Sequence, residues 1–517
     1  MKLLRPSHIN EQGFGWHIIL PVLVFIAVAA IGIRLLRGSY ADSVSTSVNT
    51  TVTVNPSSVV ATVPSRYAGL SFETSSLCDL TGDWDTPVFQ RLVENLSPQV
   101  IRIGGNSADQ AYWEPTNLAE CGNTKTVLNP QLVESFFSLA HTMDAKVIWT
   151  LNLGNYAPTT YSNEAAYVIN EGKQVGGSNG SYLWALGMGN EPDLYTGSGV
   201  RPAGWLLSGG TGSSSYISAW NSYRDTIRKS IGDSGFKFMG PDVADNSTWF
   251  TTFIDQEKTQ LSYTTHHYYA IHENNPPCAS TNGYSKDNSP CSNSIQDYNN
   301  DLLSSRLMTQ AGTTIKSWVS DSSATPLAID EANSVTGGGK SGVSNTFASS
   351  LWGLDFLYTA LENGAKQVNF HDTGGAAYTP ISFGNSGQAT PQALYYAMLA
   401  FHYAAASGNI VSTAVSSPYN VTAHSVSRND KLYVTIINKG SHTANVKIAP
   451  NTSYATATSI TLTAPSLEST ASAVTLGDAS VGTDGAWTAK PTTLTTTSGN
   501  WVVSVPADSA MIVTFGQ

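Results

Sequence analysis

Two short apolar runs in this chain end in carboxylates. Trp184-Ala185-Leu186-Gly187-Met188-Gly189-Asn190-Glu191-Pro192 has the length of one buried strand and stops abruptly in Gly, Asn, Glu and Pro. Because proline biases the residue before it toward extended backbone, Glu191 is expected to continue the strand direction and project from the end of a sheet. Pro326-Leu327-Ala328-Ile329-Asp330-Glu331-Ala332-Asn333 repeats the pattern and is followed by Gly337-Gly338-Gly339. An Asn-Glu-Pro triplet alone is ordinary loop punctuation. Two strand ends that each present a Glu to one rim suit glycosidic bond cleavage, with one carboxyl as proton donor and the other as nucleophile.

The elements that must position this pair follow from the periodicity around it. Candidate strands are Tyr67 to Glu73, Val100 to Gly105, Lys146 to Asn152, Trp184 to Glu191, Phe236 to Asp242, Tyr263 to Tyr269, Leu327 to Asn333 and Gln367 to Thr373, alternating with longer helical stretches. Eight such units over residues 66–403 predict an α/β fold, a (β/α)₈ barrel whose site lies at the C-terminal ends of the strands. Glu191 then ends the fourth strand and Glu331 the seventh. Glu73, Asn106, Asn152, Asp242, His266 with Tyr268, and His371 with Asp372 end the others, a polar ring that core packing does not explain. From residue 404 to 517 the composition turns to Thr, Ser, Val and Ala with alternating runs such as Lys431 to Asn438, Thr458 to Thr463 and Trp501 to Val505. These predict a C-terminal antiparallel β-sandwich, structural or carbohydrate-binding. Residues 42–65 read as a Ser/Thr-rich linker with strands, Thr51 to Val54 and Val59 to Val63, that pair into it.

The chain has 517 residues, of which 12% are charged, and a net charge of −11. That balance excludes nucleic acid and long polyanions, which call for a basic face. Ile18 to Ile33 is apolar and flanked by Lys2, Arg5, Arg34 and Arg37. Residues 1–41 therefore read as a signal peptide or a membrane anchor, with release after Ala41 and retention both open. Either way the bulk of the chain is expected outside the cell, secreted or attached to the outer face of the plasma membrane. Four cysteines suit an oxidising compartment and two disulfides. Cys278 and Cys291 bracket one polar loop; Cys78 and Cys121 follow the first two barrel strands. No CxxC or HExxH spacing points to a metal, and no cofactor is expected.

Taken together, Ile101-Arg102-Ile103-Gly104-Gly105-Asn106, Gly189-Asn190-Glu191-Pro192, His266-His267-Tyr268-Tyr269 and Glu331 followed by Gly337-Gly338-Gly339 resemble glycoside hydrolase family 79, which contains β-glucuronidases and heparanase within the clan of retaining (β/α)₈ glycosidases. The resemblance implies Glu191 as acid/base and Glu331 as nucleophile, with carboxyls about 5 to 5.5 Å apart. Asn190 would hold the sugar 2-hydroxyl, and Tyr268, sharing a strand face with His266, would orient the nucleophile. Glu73, Ser75 and Asn106 match positions that contact sugar hydroxyls. Gly337, Gly338 and Tyr378, in the segment that begins at His371, would bind a uronate carboxylate. Thr336 departs from the pattern, standing where the family carries a Tyr.

The implied substrate is a glycan with terminal β-linked glucuronate or its 4-O-methyl form. An endo-acting enzyme on a sulfated chain would need clustered cations, whereas Lys125, Lys173, Arg201, Lys286 and Lys340 are scattered. The rival readings are a clan relative acting on a neutral sugar such as a β-xyloside, and a surface glycan-binding protein without turnover.

Overall fold

The computed structural model describes residues 47–97, 99–122, 125–277, 292–383 and 388–517. The leader region 1–41 and the pair Cys278 and Cys291 lie outside them. Among the described residues no helix is long and apolar enough to cross a membrane.

Eight parallel strands form the barrel: Ala68–Glu73, Gln99–Gly104, Ala145–Leu151, Leu183–Met188, Phe238–Val243, Leu261–Ile271, Leu327–Val335 and Gln367–Asp372. Every residue of the second, fifth, seventh and eighth strands is buried, as expected of strands covered on both faces. The hydrogen-bonded ladder runs from the fourth strand through the third, second, first, eighth, seventh and sixth to the fifth. The fourth and fifth strands are therefore the two edges of this sheet. They meet through single contacts, among them the Glu191 N–H donating to Asp242 O at 2.9 Å.

Local chemistry sets the surrounding helices. Thr86, Asn129 and Ser215 each accept a backbone N–H at the start of Pro87–Glu94, Pro130–Thr142 and Tyr216–Ile231, and Gly232, at φ +67°, ends the last of these. The helix after the seventh strand, Phe347–Glu362, is buried from residue 347 to 361. The sandwich makes this burial possible, since a helix apolar on all sides needs cover on both.

The sandwich is built from a ten-stranded sheet. Strand Thr50–Thr62 joins it antiparallel to Asn409–Ser416 and parallel to Ala444–Pro450. Val52, Val54, Val434, Ile436, Val446, Val505 and Phe515 fill its interior. A buried ionic cluster fastens it to the barrel. Asp355, on the helix after the seventh strand, accepts from Thr422 Oγ1 at 3.0 Å, lies 3.0 Å from His424 Nε2, and pairs with Lys439. His424 Nδ1 lies 2.8 Å from Glu362.

Cys78 and Cys121 form a disulfide across a sequence separation of 43. Opening a loop of that length costs about 4 kcal/mol in the chain-entropy model. The Cys78→Ser/Cys121→Ser double variant is expected to unfold several degrees earlier in a thermal scan while keeping its turnover at low temperature; an unchanged midpoint would show that the link adds nothing.

Candidate active site

At the centre of the barrel mouth lies Arg102, on the second strand and fully buried. Its Nη1 donates to Glu331 Oε2 at 2.8 Å and Ser71 Oγ at 3.0 Å, and its Nη2 to Asn190 Oδ1 at 2.8 Å and Asp242 Oδ2 at 3.4 Å. Its Nε lies 3.1 Å from Asp330 Oδ2. One guanidinium thus engages side chains from the first, second-neighbour and opposite strands at once, using its planar fork of donors.

Glu331 is 5% exposed. Burial opposes its charge, but His371, His267 and Arg102 nearby and a hydrogen bond from Tyr269 outweigh burial and hold its pKa well below the usual carboxylate range. The Tyr269 hydroxyl donates to Oε1 at 2.8 Å. His371 Nδ1 is 3.7 Å from Oε2, and its Nε2 is 3.4 Å from Glu73 Oε1. Glu331 is built to stay ionised.

Glu191 is half-buried, and its Oε1 lies 2.9 Å from His267 Nδ1. Burial lowers the pKa of His267, but Glu331, Glu191 and Asp330 overcome it and raise the pKa to about 9. At neutral pH the ring is therefore an imidazolium between the Glu191 and Glu331 side chains. Oxygens of Glu191 and Glu331 approach within 4.8 Å of each other, on the side of the spacing at which the second carboxyl reaches the anomeric carbon directly. Glu191, His267 and Glu331 stand close enough to share one metal ion, while Arg102 fills the neighbouring space between Asp242 and Asp330.

The backbone at Glu191 differs from expectation. The strand ends at Met188, and Glu191 adopts φ +49°, ψ +54°, the left-handed region, rather than extended geometry. The bond to Asp242 O on the facing strand overrides the local preference set by Pro192. Asn190 is buried, donates its Nδ2 to Asn106 Oδ1 at 3.1 Å, and has its own N–H held by Asp109 Oδ2 at 3.0 Å.

The paired His and Tyr residues of the sixth strand are the clearest correction. His266 stacks on Trp318 at 3.7 Å and Tyr268 on Phe356 at 4.7 Å, both toward the outer helices. Residues 265, 267 and 269 face the barrel, so His267 and Tyr269 meet the carboxylates. The strand alternates as expected, but Tyr269 and not Tyr268 is the tyrosine on the Glu331 side.

Other expected residues fall into two groups. Glu73 accepts from Ser107 N at 2.8 Å and from Asn106 N at 3.3 Å, and Ser75 N donates to Ser107 Oγ at 3.0 Å. These residues, with His371 and exposed Asn106, adjoin Asn190 and Glu331. Gly337, Gly338 and Gly339 have φ of +68°, +89° and +87°, so only glycine fits this loop without strain. It packs on Tyr378, whose N–H donates to Gly338 O at 3.4 Å and whose ring lies 6.2 Å from Tyr269. Thr336 Oγ1 accepts from Glu273 N at 2.9 Å, and the Glu273 carboxylate lies against Gly337. Asn152 and Asp372, by contrast, fasten turns. Asn152 donates to Ala111 O at 2.7 Å, and Asp372 accepts from Gly374 and Ile381 N at 2.8 and 2.9 Å.

No family model matches the chain. A curated relative, "Beta-glucuronidase" from Neurospora crassa, is 25% identical over 429 residues, covering 74% of this chain and 70% of that protein. Another of the same name from Aspergillus niger is 26% identical over 61% of this chain and 60% of its own length. Among solved structures, a 4-O-α-L-rhamnosyl-β-D-glucuronidase from Fusarium oxysporum 12S superposes with a TM-score of 0.69 at 20% identity, covering 89% of this chain and all of that one. The chain is a glycoside hydrolase related to the β-glucuronidases. A family 51 α-L-arabinofuranosidase from Bifidobacterium longum shares the fold at TM-score 0.64 and 16% identity, over 91% of the hydrolase and all of its own chain.

Two predictions follow from this geometry. Tyr269→Phe removes the hydroxyl on Glu331 and is expected to lower kcat by ten- to a hundredfold, whereas Tyr268→Phe leaves it within about threefold; the reverse order would restore the parity first expected. His267 and His424, both raised to about 9, stabilise the fold in their charged forms fully below about pH 6.5 and lose that contribution as pH rises through 9. Buried Glu164, raised to about 8, acts in the same direction. Glu331, Asp355 and Glu73, all lowered, lose theirs as pH falls below the ordinary carboxylate range. The unfolding midpoint should therefore fall as pH rises from about 6.5 to 9; a midpoint that holds or rises over that range contradicts the assignment.

Proposed function

We propose that the hydrolase is a retaining, exo-acting β-glucuronidase. The observation that carries this reading is the close approach of two carboxyls in unlike surroundings, Glu331 among cations and Glu191 half-buried at the mouth. Glu331 attacks the anomeric carbon as Glu191 gives its proton to the departing oxygen, forming a glycosyl ester on Glu331. Glu191 then takes a proton from water, whose oxygen attacks the same carbon and frees Glu331. The His267 contact engages Oε1 of Glu191, leaving Oε2 to carry the proton. Asn190, oriented by Arg102 and Asn106, would hold the sugar 2-hydroxyl, with Glu73, Ser75, Asn106 and His371 around the remaining hydroxyls.

The uronate carboxylate would sit on the N–H groups of Gly337 and Gly338 beside the Tyr378 hydroxyl, as the left-handed glycine run and its packing on Tyr378 support. The names of the sequence relatives and of the Fusarium structure favour a glucuronide over a neutral sugar. Scattered rim cations favour a terminal residue on a weakly charged glycan over a sulfated chain. Arg201 is bonded to Leu153 O at 2.6 Å, and Lys340 lies over the Tyr298 ring at 5.2 Å. The Cys78–Cys121 link supports an exported enzyme, secreted or held at the outer membrane face by the apolar leader.

Release of chromophore from aryl β-glucuronide, β-glucoside and β-xyloside tests the proposal. Only the glucuronide should turn over, Glu191→Gln and Glu331→Gln should each lose at least a hundredfold, and Tyr378→Phe should raise KM for the glucuronide. Cleavage of the neutral glycosides instead would favour the β-xyloside reading, and no cleavage at all would favour the glycan-binding one.

A further inference from the structure

The barrel's seam falls beside the proposed acid/base. The ladder of eight strands has its two edges at the fourth and fifth strands, and among the described residues no ladder joins them. Glu191 lies just past the end of the fourth strand, with the left-handed backbone described above on the residue before a proline. Its bonding partner Asp242, on the fifth strand, is also left-handed at φ +54°. Conformations of this kind cost about 1–3 kcal/mol each and persist only where the surroundings over-determine them. Something must hold the two strand ends in register here.

Asp193, two residues after Glu191, spans the seam. Its Oδ1 accepts the Ala244 N–H at 3.0 Å, and its Oδ2 accepts those of Asp245 and Asn246 at 3.3 and 3.2 Å. Three consecutive backbone donors from the loop after the fifth strand thus converge on one carboxylate. That loop is itself anchored, since Asn246 Oδ1 caps helix Ser247–Glu257 through the N–H groups of Thr248 and Trp249 at 3.1 and 3.2 Å. On the other side of Glu191, Asp109 Oδ2 holds the Asn190 N–H, while its Oδ1 accepts from Leu153 and Gly154 at 2.9 Å each. Glu191 is therefore suspended between two carboxylate clamps, one on each flank, plus its own bond to Asp242.

We propose that Asp193 is a positioning residue for the acid/base: it staples the fourth strand to the fifth where ladder hydrogen bonds are missing, and so fixes the direction in which Glu191 offers its proton. The inference rests on Glu191 being the acid/base of a glucuronidase. Without the Asp193 carboxylate, three donors lose their acceptor and the left-handed turn at Glu191 loses its support toward the fifth strand. Glu331 is held separately, by Arg102 and Tyr269.

Loss of proton donation has a signature that general damage lacks, because a good leaving group departs without a proton and a poor one does not. Values of kcat/KM, which report glycosylation, are compared for 2,4-dinitrophenyl and methyl β-glucuronide in wild type, Asp193→Ala, Asp193→Asn and Glu191→Ala. A positioned acid contributes about 10²- to 10⁴-fold. Asp193→Ala should then lose about ten- to a hundredfold on the methyl glycoside and less than about threefold on the dinitrophenyl one. Asp193→Asn, which keeps one acceptor, should fall between Asp193→Ala and wild type. Labelling of Glu331 by a 2-deoxy-2-fluoro glucuronyl fluoride at the wild-type rate reports an intact fold. Equal losses on both substrates, or none on either, overturn the role of Asp193. A wild type inactive on both glucuronides, or a Glu191→Ala variant without the split, overturns the underlying reading instead.

Discussion

Burying a guanidinium costs several kcal/mol unless its donors find acceptors and its charge finds partners. Arg102 has no exposed surface, and its partners come from around the barrel: Ser71, Asn190, Asp242, Asp330 and Glu331. The dependence runs both ways, since three carboxyl groups buried at one level need a cation among them, and burial beside Asp242 still pushes Asp330 up to about 8. Where the lower interior of the barrel is filled by apolar side chains such as Val100, Ile148, Ala185 and Met239, this upper layer is held by charge. The shape of the mouth follows from that substitution.

The same cluster makes the two glutamates unlike. Glu331 gathers Arg102, Tyr269 and the neighbouring imidazoles, which keep it charged against its burial. Glu191 shares His267 but sits nearer to solvent. Two carboxyls of the same chemical kind are thereby prepared for different tasks, by environment alone. The sandwich supports this from a distance: it covers the buried helix Phe347–Glu362, which lies behind the seventh strand, and locks it through Asp355, His424 and Lys439.

Much of this was legible in the residues. All eight barrel strands stand out as apolar runs bounded by turn signals, though Glu331 lies inside its strand and Glu191 falls three residues past the end of its own. What was not legible depends on backbone detail that periodicity does not encode. The doublet His266-His267-Tyr268-Tyr269 places the same residue types on both strand faces, so composition alone leaves the inward parity undetermined. Asp330 and Glu331 are adjacent yet both reach Arg102, because the seventh strand shifts register against both neighbours at this point. A similar shift between Gly240 and Val243 delivers Asp242. A signal was available for Arg102 itself: a lone cation inside Val100-Ile101-Arg102-Ile103 is hard to bury without acceptors, and acidic residues at other strand ends were the evident candidates. The left-handed Glu191 was hidden because its cause, the Asp242 carbonyl, belongs to another strand.

The central claim is that Glu331 attacks the sugar and Glu191 assists from the opposite side, which requires two inversions at one carbon. Proton NMR of the first-formed product, recorded before mutarotation during hydrolysis of an aryl β-glucuronide, reads this directly. The account predicts the β-anomer of free glucuronate as the initial product; the α-anomer appearing first would show that water attacks directly and would contradict the role given to Glu331.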